Sequence, residues 1–268
     1  MKVGLKISLI FFILVLITGC TSSAEESSSQ SPELMVFAAA QLQDAYTEAE
    51  EVFEEKYETN VMINFAGSQV VRTQIEQGAY ADVFASADFS HMEALQDQNL
   101  VGKDTTFSHN TLTVLLPKSN PGNLSSLQDL SEVKHNLVIG IDAVPIGIYA
   151  REFLDNANAA FGSGYKEKVM SNVVSMETNT RAVAGKVTLG EADAGIVYVT
   201  DVIPSIEDKV ITIEIPDNLN VLTNNTMAIV NDSKNKELAE QWIDFIMSEE
   251  GQNLLAKHKF MKVQNVQK

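Results

Sequence analysis

Four stretches of small, hydroxyl or amide residues stand where a short apolar run gives way to a helical pattern. They are residues 38–41 (Ala-Ala-Ala-Gln), 66–69 (Ala-Gly-Ser-Gln), 144–149 (Val-Pro-Ile-Gly-Ile-Tyr) and 177–181 (Glu-Thr-Asn-Thr-Arg). The first N–H groups of a helix have no partner within it, and the helix dipole is positive at that end. Several helix starts facing one cleft can therefore hold an anion without a lysine or an arginine. For any single junction, ordinary helix capping is the better explanation.

The elements that must position these junctions are strands alternating with helices. Short apolar runs bounded by turn residues predict strands at residues 34–37, 61–65, 83–85, 111–116, 138–141, 194–198, 211–215 and 227–230. Between several of them apolar residues recur at helical spacing, as at Leu42, Ala45, Ala49, Val52 and Phe53. This alternation predicts an α/β fold with largely parallel sheets, which bind ligands at the carboxyl ends of their strands.

Composition narrows the class of function. The 268 residues include 19 Lys and Arg against 36 Asp and Glu, a formal net charge of −17. That balance argues against nucleic-acid binding and against electrostatic docking on anionic lipid, since both need a basic face. The single cysteine, Cys20, excludes an internal disulfide and a cysteine-based metal site. The four histidines share no short ligand spacing, so we predict no metal cation held directly by side chains.

The amino terminus has the features of an export signal. Residues 1–19 contain a basic start and an apolar run, residues 7–17, that is too short to span a bilayer comfortably. Residues 17–20 (Ile-Thr-Gly-Cys) resemble the lipobox of bacterial lipoproteins, which implies a lipidated Cys20; a plain signal peptide or an uncleaved anchor is the alternative. The remainder of residues 20–32 has no apolar periodicity and predicts a flexible tether. We expect an extracytoplasmic protein held at the membrane by its N-terminal lipid.

Four segments taken in order resemble the molybdate-binding protein family of ABC importers. They are residues 36–40 (Val-Phe-Ala-Ala-Ala), 81–88 (Ala-Asp-Val-Phe-Ala-Ser-Ala-Asp), 144–150 (Val-Pro-Ile-Gly-Ile-Tyr-Ala) and 195–198 (Gly-Ile-Val-Tyr). The resemblance is collinear over about residues 34–260. It implies a two-lobed periplasmic-binding-protein fold of the class II type, with two crossover strands and a ligand cleft between the lobes. The implied lobes are residues 33–113 with 224–268, and residues 114–223.

The resemblance also implies the ligand and the residues that hold it. The cleft would close over molybdate or tungstate as a tetrahedral oxyanion, held by hydroxyl and main-chain N–H groups. The implied donors are the hydroxyl and N–H of Ser68, the N–H groups of Ile146 and Thr180, and the hydroxyl of Tyr198. Gln41 stands where the family commonly has a serine. It keeps the main-chain N–H, and its longer amide side chain either reaches the anion or swings away.

The function implied is that of a solute-binding component of an ABC importer. Such a monomer has no catalytic residues and no cofactor, and it delivers its anion to a membrane permease with a cytoplasmic ATPase. A binding protein for sulfate or another small oxyanion is the alternative. An exported hydrolase or transferase would need a nucleophile with a base, and the chain has no GxSxG or P-loop sequence. A purely structural lipoprotein would show no ligand-linked rise in melting temperature.

Overall fold

The chain forms two β-sheets flanked by helices in a computed structural model, which describes residues 32–132 and 134–263. The strands are β1 Glu33–Ala39, β2 Asn60–Ala66, β3 Val83–Ser86, β4 Thr105–Asn110, β5 Leu112–Pro117, β6 Leu137–Gly140, β7 Val173–Glu177, β8 Ala194–Tyr198, β9 Val210–Glu214, β10 Thr223–Ile229 and β11 Met261–Lys262. The helices are α1 Gln43–Tyr57, α2 Ser68–Glu76, α3 Phe89–Asp97, α4 Pro145–Phe161, α5 Tyr165–Ser171, α6 Thr180–Thr188, α7 Pro204–Glu207, α8 Lys236–Met247 and α9 Glu249–Lys257. Short 3-10 turns occupy Ala40–Leu42, Gln128–Ser131 and Val199–Asp201.

Some predictions fall on the part of the chain that is not described. The signal peptide at residues 1–19, the lipidated Cys20 and nearly all of the tether lie outside the described residues. Within the described ranges, no helix combines the length and the apolar character that crossing a bilayer requires.

Each sheet mixes parallel and antiparallel strands. The first has the order β11-β4-β10-β3-β1-β2 and the second the order β7-β6-β8-β5-β9. β1 is parallel to β2 and β3, and β6 is parallel to β7 and β8. β10 is antiparallel to β3 and β4, and β5 is antiparallel to β8 and β9. The prediction of largely parallel sheets is therefore right only for strands joined by helices. A strand that arrives from the other sheet needs no helical crossover, so nothing forces it to be parallel.

The chain passes between the sheets twice and so builds two lobes. β4 ends at Asn110 in the first sheet and β5 begins at Leu112 in the second, so the first passage takes a single residue. The return lies between β9 and β10. We call the first sheet with α1–α3, α8 and α9 the first lobe, and the second sheet with α4–α7 the second lobe. The limits predicted for the lobes are residues 33–113 with 224–268 and residues 114–223. They stay a prediction; each predicted boundary lies within a few residues of one of these passages.

The central strands of each sheet are buried on both faces, and their successive residues point to opposite sides. In β1, Leu34 packs in one cluster with Trp242 of α8, whereas Phe37 packs in another with Met92 of α3. The residues of β5 divide in the same way between the clusters that contain α4 and α6. Each lobe therefore has helices on both faces of its sheet, and this packing fixes the strand ends that carry the four junctions.

The start of α4 lies directly against the end of β6 because a glycine allows the approach. A Cβ atom on Gly147 would stand 1.8 Å from the carbonyl oxygen of Ile141. Arg151 donates hydrogen bonds to the carbonyl oxygens of Gly140 at 3.0 Å and of Gly147 at 2.7 Å, which ties the helix to the strand. Ile146 is thereby held at the carboxyl end of the second sheet.

Candidate functional site

All five residues predicted to bind the anion line one cavity between the two lobes. Its complete lining is Ala39, Ala40, Gln41, Gly67, Ser68, Ala87, Val144, Pro145, Ile146, Asn179, Thr180 and Tyr198. The centre of a water molecule can occupy about 20 Å³ of this space. Adding the radius of water itself, about 1.4 Å, gives a sphere of roughly 3 Å radius. A space of that size fits a small compact solute.

Helix starts converge on the cavity from both lobes. α2 begins at Ser68 and α6 at Thr180, and both residues line the cavity. α4 begins at Pro145, which has no N–H, so Ile146 offers the first N–H of that helix. The 3-10 turn Ala40–Leu42 follows directly on the end of β1. Because these first N–H groups have no partner within their helices, they form a set of positive dipole ends around one small space.

Tyr198 supplies a hydroxyl donor at the end of β8. The residue is 1% exposed, and its hydroxyl has no hydrogen-bond partner among residues 32–132 and 134–263. Leaving a buried hydroxyl unpaired costs free energy, so such a group marks a place where a partner is needed. Burial raises the pKa of Tyr198 well above its ordinary value, and Tyr149, Asp88 and Asp201 add to the rise. The hydroxyl therefore keeps its proton at neutral pH and can donate it into the cavity.

Ser68 is oriented by the neighbouring strand–helix connection. The main-chain N–H of Ala87 donates to the hydroxyl oxygen of Ser68 at 3.1 Å. Ser68 is 1% exposed and lines the cavity together with Ala87. With one oxygen lone pair occupied in this way, the hydroxyl proton of Ser68 is left to donate elsewhere.

Thr180 offers its main chain rather than its side chain. Asn179 caps α6 by accepting the N–H of Ala182 at 2.9 Å. The Thr180 hydroxyl donates to Asp201, a residue that does not line the cavity. The main-chain N–H of Thr180 is therefore the donor this residue can give to a ligand, as the family resemblance implied.

The side chain of Gln41 is held in a buried network of polar groups. Its Nε2 atom donates to Oδ1 of Asn225 at 2.6 Å, and its Oε1 atom accepts from Nδ2 of Asn110 at 2.9 Å. Asn110 also donates to the hydroxyl oxygen of Thr200, and Asn225 to that of Ser108, each at 2.8 Å. Of the two possibilities for Gln41, the structure favours the one in which the amide turns away from the anion, towards Asn110 of β4 and Asn225 of β10. Its main-chain N–H is then what it offers to the cavity.

The lining of the cavity, as the structure describes it, carries no formal charge. Charged residues close to it are committed to other partners. Asp88 caps α3 by accepting the N–H of His91 at 3.1 Å. Arg181 pairs with Asp44, and its Nε atom lies 3.4 Å from Oδ1 of Asp201. An anion in this cavity would therefore meet neutral N–H and O–H groups.

Three residues that position the lining of the cavity were not predicted from the sequence. These residues are at most 1% exposed and do not line the cavity themselves: Asn110, Asn225 and Asp201. The two asparagines hydrogen-bond to Gln41, and Asp201 accepts from Thr180 and Tyr198. Asp201 follows Tyr198 by three residues, whereas the asparagines lie on distant strands and give no local signal. In the described part of the chain, no group of three or more His, Cys, Asp or Glu side chains could hold a metal ion.

Comparison with known proteins places this arrangement in a family. Residues 34–260 match the family described as bacterial extracellular solute-binding protein. The chain belongs to this family. This solute-binding protein is 33% identical to the molybdate-binding protein ModA of Mycobacterium tuberculosis over 268 residues, which cover 97% of the chain and 98% of the relative. The family is one of solute-binding proteins rather than enzymes, and the predicted family resemblance is confirmed.

Solved structures share the two-lobed fold of this solute-binding protein. The substrate-binding domain of a putative molybdenum ABC transporter from Clostridium difficile has 28% identity and a TM-score of 0.66, covering 87% of this chain and 100% of that one. The sulfate-binding protein SubI of Mycobacterium tuberculosis has a TM-score of 0.76, covering 87% of this chain and 88% of that one. At 15% identity, the likeness to SubI shows the fold alone. The predicted fold class is confirmed.

Proposed function

We propose that this solute-binding protein captures molybdate, and tungstate as well, for an ABC importer. The anion would be held as a tetrahedral oxyanion by main-chain N–H groups of Gln41, Ser68, Ile146 and Thr180 and by the hydroxyls of Ser68 and Tyr198. The loaded protein would then deliver it to a membrane permease that works with a cytoplasmic ATPase. The single observation that carries the proposal is the buried hydroxyl of Tyr198, which has no hydrogen-bond partner in the described part of the chain and lies at a cavity surrounded by helix starts.

The balance of hydrogen bonds makes such binding strong enough. A dianion loses its hydration when it enters the cavity and must regain hydrogen bonds there. A hydrogen bond to a charged group contributes about 1.5–3 kcal/mol net. About five to seven such donors would outweigh the desolvation and support binding of about −8 to −12 kcal/mol, which corresponds to a Kd between about 1 μM and about 1 nM. Donors fixed by the backbone have little conformational entropy to lose.

The kind of donor supports a fully deprotonated anion. Protonated phosphate carries an O–H that needs an acceptor, and a cavity lined by donors leaves that proton unpaired. Sulfate has the charge and shape of molybdate but shorter bonds, so it stays the alternative and only the cavity size separates the two. The relative with 33% identity is named for molybdate, whereas the sulfate-binding neighbour shares only 15% identity, which favours molybdate.

Contacts between the lobes support capture by closure. Nε2 of Gln69 in the first lobe donates to the carbonyl oxygen of Thr178 in the second at 2.9 Å, beside the cavity. Lys259 reaches from the first lobe to the carbonyl oxygen of Val202 at 2.7 Å. An anion that contacts donors of both lobes at once favours the closed arrangement over an open one.

The location of the protein follows from the same proposal. The family is extracellular, so the anion is captured outside the cytoplasm. We further propose that Cys20 carries the lipid that anchors the protein to the membrane, that residues 20–32 act as its tether, and that the protein works as a monomer. Mass spectrometry of the membrane-extracted protein would test the anchor, because a mature chain that retains residues 1–19 or lacks lipid on Cys20 would contradict it.

Thermal unfolding with four anions in parallel tests the proposed function. Molybdate and tungstate at equal concentration should raise the melting temperature, because a ligand that binds only the folded state stabilises it. Sulfate and phosphate should raise it far less. A rise with sulfate alone would support the alternative, and no rise with any of the four would support a structural lipoprotein.

A further inference from the structure

Behind the cavity, one buried carboxylate joins two of the elements that line it. Asp201 is 0% exposed and lies in the 3-10 turn that follows β8. Its Oδ2 atom accepts the hydroxyl of Thr180 and, at 2.9 Å, the main-chain N–H of Tyr198. These are the polar groups of Thr180 and Tyr198 that the proposed contacts with the anion leave unused. One oxygen atom therefore fixes the first residue of α6 relative to the last residue of β8.

Arg181 balances the charge of this carboxylate and links it to the other lobe. The guanidinium of Arg181 lies 3.4 Å from Oδ1 of Asp201 and also pairs with Asp44 of the first lobe. It donates as well to the carbonyl oxygen of Gln41 at 3.4 Å. Burial raises the pKa of Asp201, and Arg181, Thr180 and Tyr198 oppose that rise. Burying a charge is costly unless it is paired and hydrogen-bonded, so packing alone does not account for a carboxylate here.

The sign of the charge makes the role of Asp201 unusual for an anion site. A negative carboxylate close to a bound dianion repels it, so electrostatics alone would favour a neutral residue at this position. The geometry of the donors favours the carboxylate instead, because Oδ2 accepts from two elements while Oδ1 faces the Arg181 guanidinium; an amide that kept the first oxygen would turn its NH2 donors towards that guanidinium.

We propose that Asp201 is a positioning residue for oxyanion binding, which aligns the Thr180 N–H and the Tyr198 hydroxyl through the Thr180 hydroxyl and the Tyr198 N–H. The inference rests on the proposed function of the cavity and extends it to a residue that never touches the ligand. It makes two claims that differ from a merely structural role. Removing the carboxylate charge weakens the binding of an anion, and the effect passes through the hydroxyl of Thr180.

Calorimetric titration with sodium molybdate tests these claims on a matched set of variants. Thr180→Val removes the hydroxyl and should weaken binding about tenfold, whereas Thr180→Ser keeps the hydroxyl and should bind at least about fivefold more tightly than the valine variant. Thr188→Val is the control, because it makes the same change on the same helix at a hydroxyl that donates to Ala184. Its affinity should equal that of the wild type.

Asp201→Asn removes the negative charge of the carboxylate and so distinguishes the positioning role from electrostatic repulsion of the anion. The positioning role predicts weaker binding although a repulsive charge has gone, and the double variant with Thr180→Val should bind about as weakly as Asp201→Asn alone. Binding that is unchanged or tighter in Asp201→Asn would overturn the inference. So would equal losses in Thr180→Val and Thr180→Ser, or no loss in Thr180→Val, and these two outcomes decide the matter even where Asp201→Asn fails to fold. Absence of binding by the wild type would overturn the proposed function and the inference with it.

Discussion

The main-chain N–H of Ala87 donates to the hydroxyl oxygen of Ser68 at 3.1 Å, so the start of α2 and the end of β3 are joined at the cavity. The bond leaves Ser68 with a free proton directed away from Ala87. The hydroxyl on the first residue of α2 is thereby an oriented donor rather than a cap of its own helix.

Replacing Ser68 by alanine should weaken molybdate binding. The anion would lose one charge-assisted hydrogen bond, worth about 1–3 kcal/mol or a factor of about 5 to 150 in Kd. Calorimetric titration measures the change. Ser171→Ala is the control, because the Ser171 hydroxyl donates to a carbonyl at the exposed end of α5. Equal affinity of wild type and Ser68→Ala would remove the hydroxyl from the site.

Tyr198→Phe should weaken binding without destabilising the protein. The hydroxyl has no partner in the described residues, so its removal costs the ligand-free fold no hydrogen bond. Tyr165→Phe is the matched opposite, since the Tyr165 hydroxyl donates to the carbonyl oxygen of Leu127 at 2.5 Å. That variant should lose about 1 kcal/mol of unfolding free energy and keep its affinity. Titration and urea unfolding of both variants provide the measurement. Unchanged affinity with lower stability in Tyr198→Phe, or weaker binding with unchanged stability in Tyr165→Phe, would contradict the account.

Gln41→Ser should destabilise the protein although serine is the residue common in the family. It would leave the side chains of Asn110 and Asn225 without their partner in a buried network. Unpaired buried amides cost about 1–3 kcal/mol of unfolding free energy. Binding should persist, since the main-chain N–H remains. Gln43→Ser, an exposed change two residues later, is the control for urea unfolding, and an equal stability of both variants would argue against the network.

Glu48 should contribute stability at neutral pH that is lost in acid. Hydrogen bonds from Lys257 at 2.6 Å and His258 at 2.8 Å hold the pKa of Glu48 below its ordinary value. A carboxyl with a lowered pKa stabilises the fold above its unfolded pKa, and the contribution disappears as the pH falls through the folded pKa. Glu48→Gln should therefore lower the unfolding free energy at pH 7 by roughly 0.5–1 kcal/mol. Exposed Glu240→Gln on α8 should not.

Urea unfolding at pH 7 and at pH 3 provides the comparison for Glu48. The difference between wild type and Glu48→Gln should shrink at the lower pH, because protonation of the Glu48 carboxyl removes the charge that glutamine lacks at every pH. A difference that stays constant between the two pH values would show that the ion pair does not stabilise the fold.

The sequence predicts the strands whose apolar runs are long enough to stand out. β8 has the predicted bounds, and six other strands differ from the predicted ones by one or two residues at one or both ends: β1, β2, β3, β5, β6 and β9. β4 went unpredicted because its six residues include one large apolar side chain, Phe107. Two of its buried residues, Ser108 and Asn110, are polar because they serve the Gln41 network. A strand that carries a buried polar network lacks the local pattern by which strands are recognised.

Residues of the candidate site follow the same rule: those marked by a local pattern are predictable from the sequence, and those brought together by the tertiary structure are not. Junctions between strands and helices are local features; the family resemblance picked Ser68, Ile146 and Thr180 from them, and all three line one cavity. Asn225 lies 184 residues from Gln41 along the chain, and such a pair is formed only by the tertiary structure. The sheet directions of β5 and β10 follow from the passage between lobes rather than from any local pattern.

A crystal structure of the protein grown with molybdate tests the central claim most directly, because the anomalous signal of the metal gives its position. The account predicts one metal peak in the cavity between the lobes. The oxygen atoms of the anion should lie about 2.7–3.2 Å from the hydroxyls of Ser68 and Tyr198 and from the N–H groups of Ile146 and Thr180. A peak against surface lysines or arginines, with these donors out of reach, would contradict it.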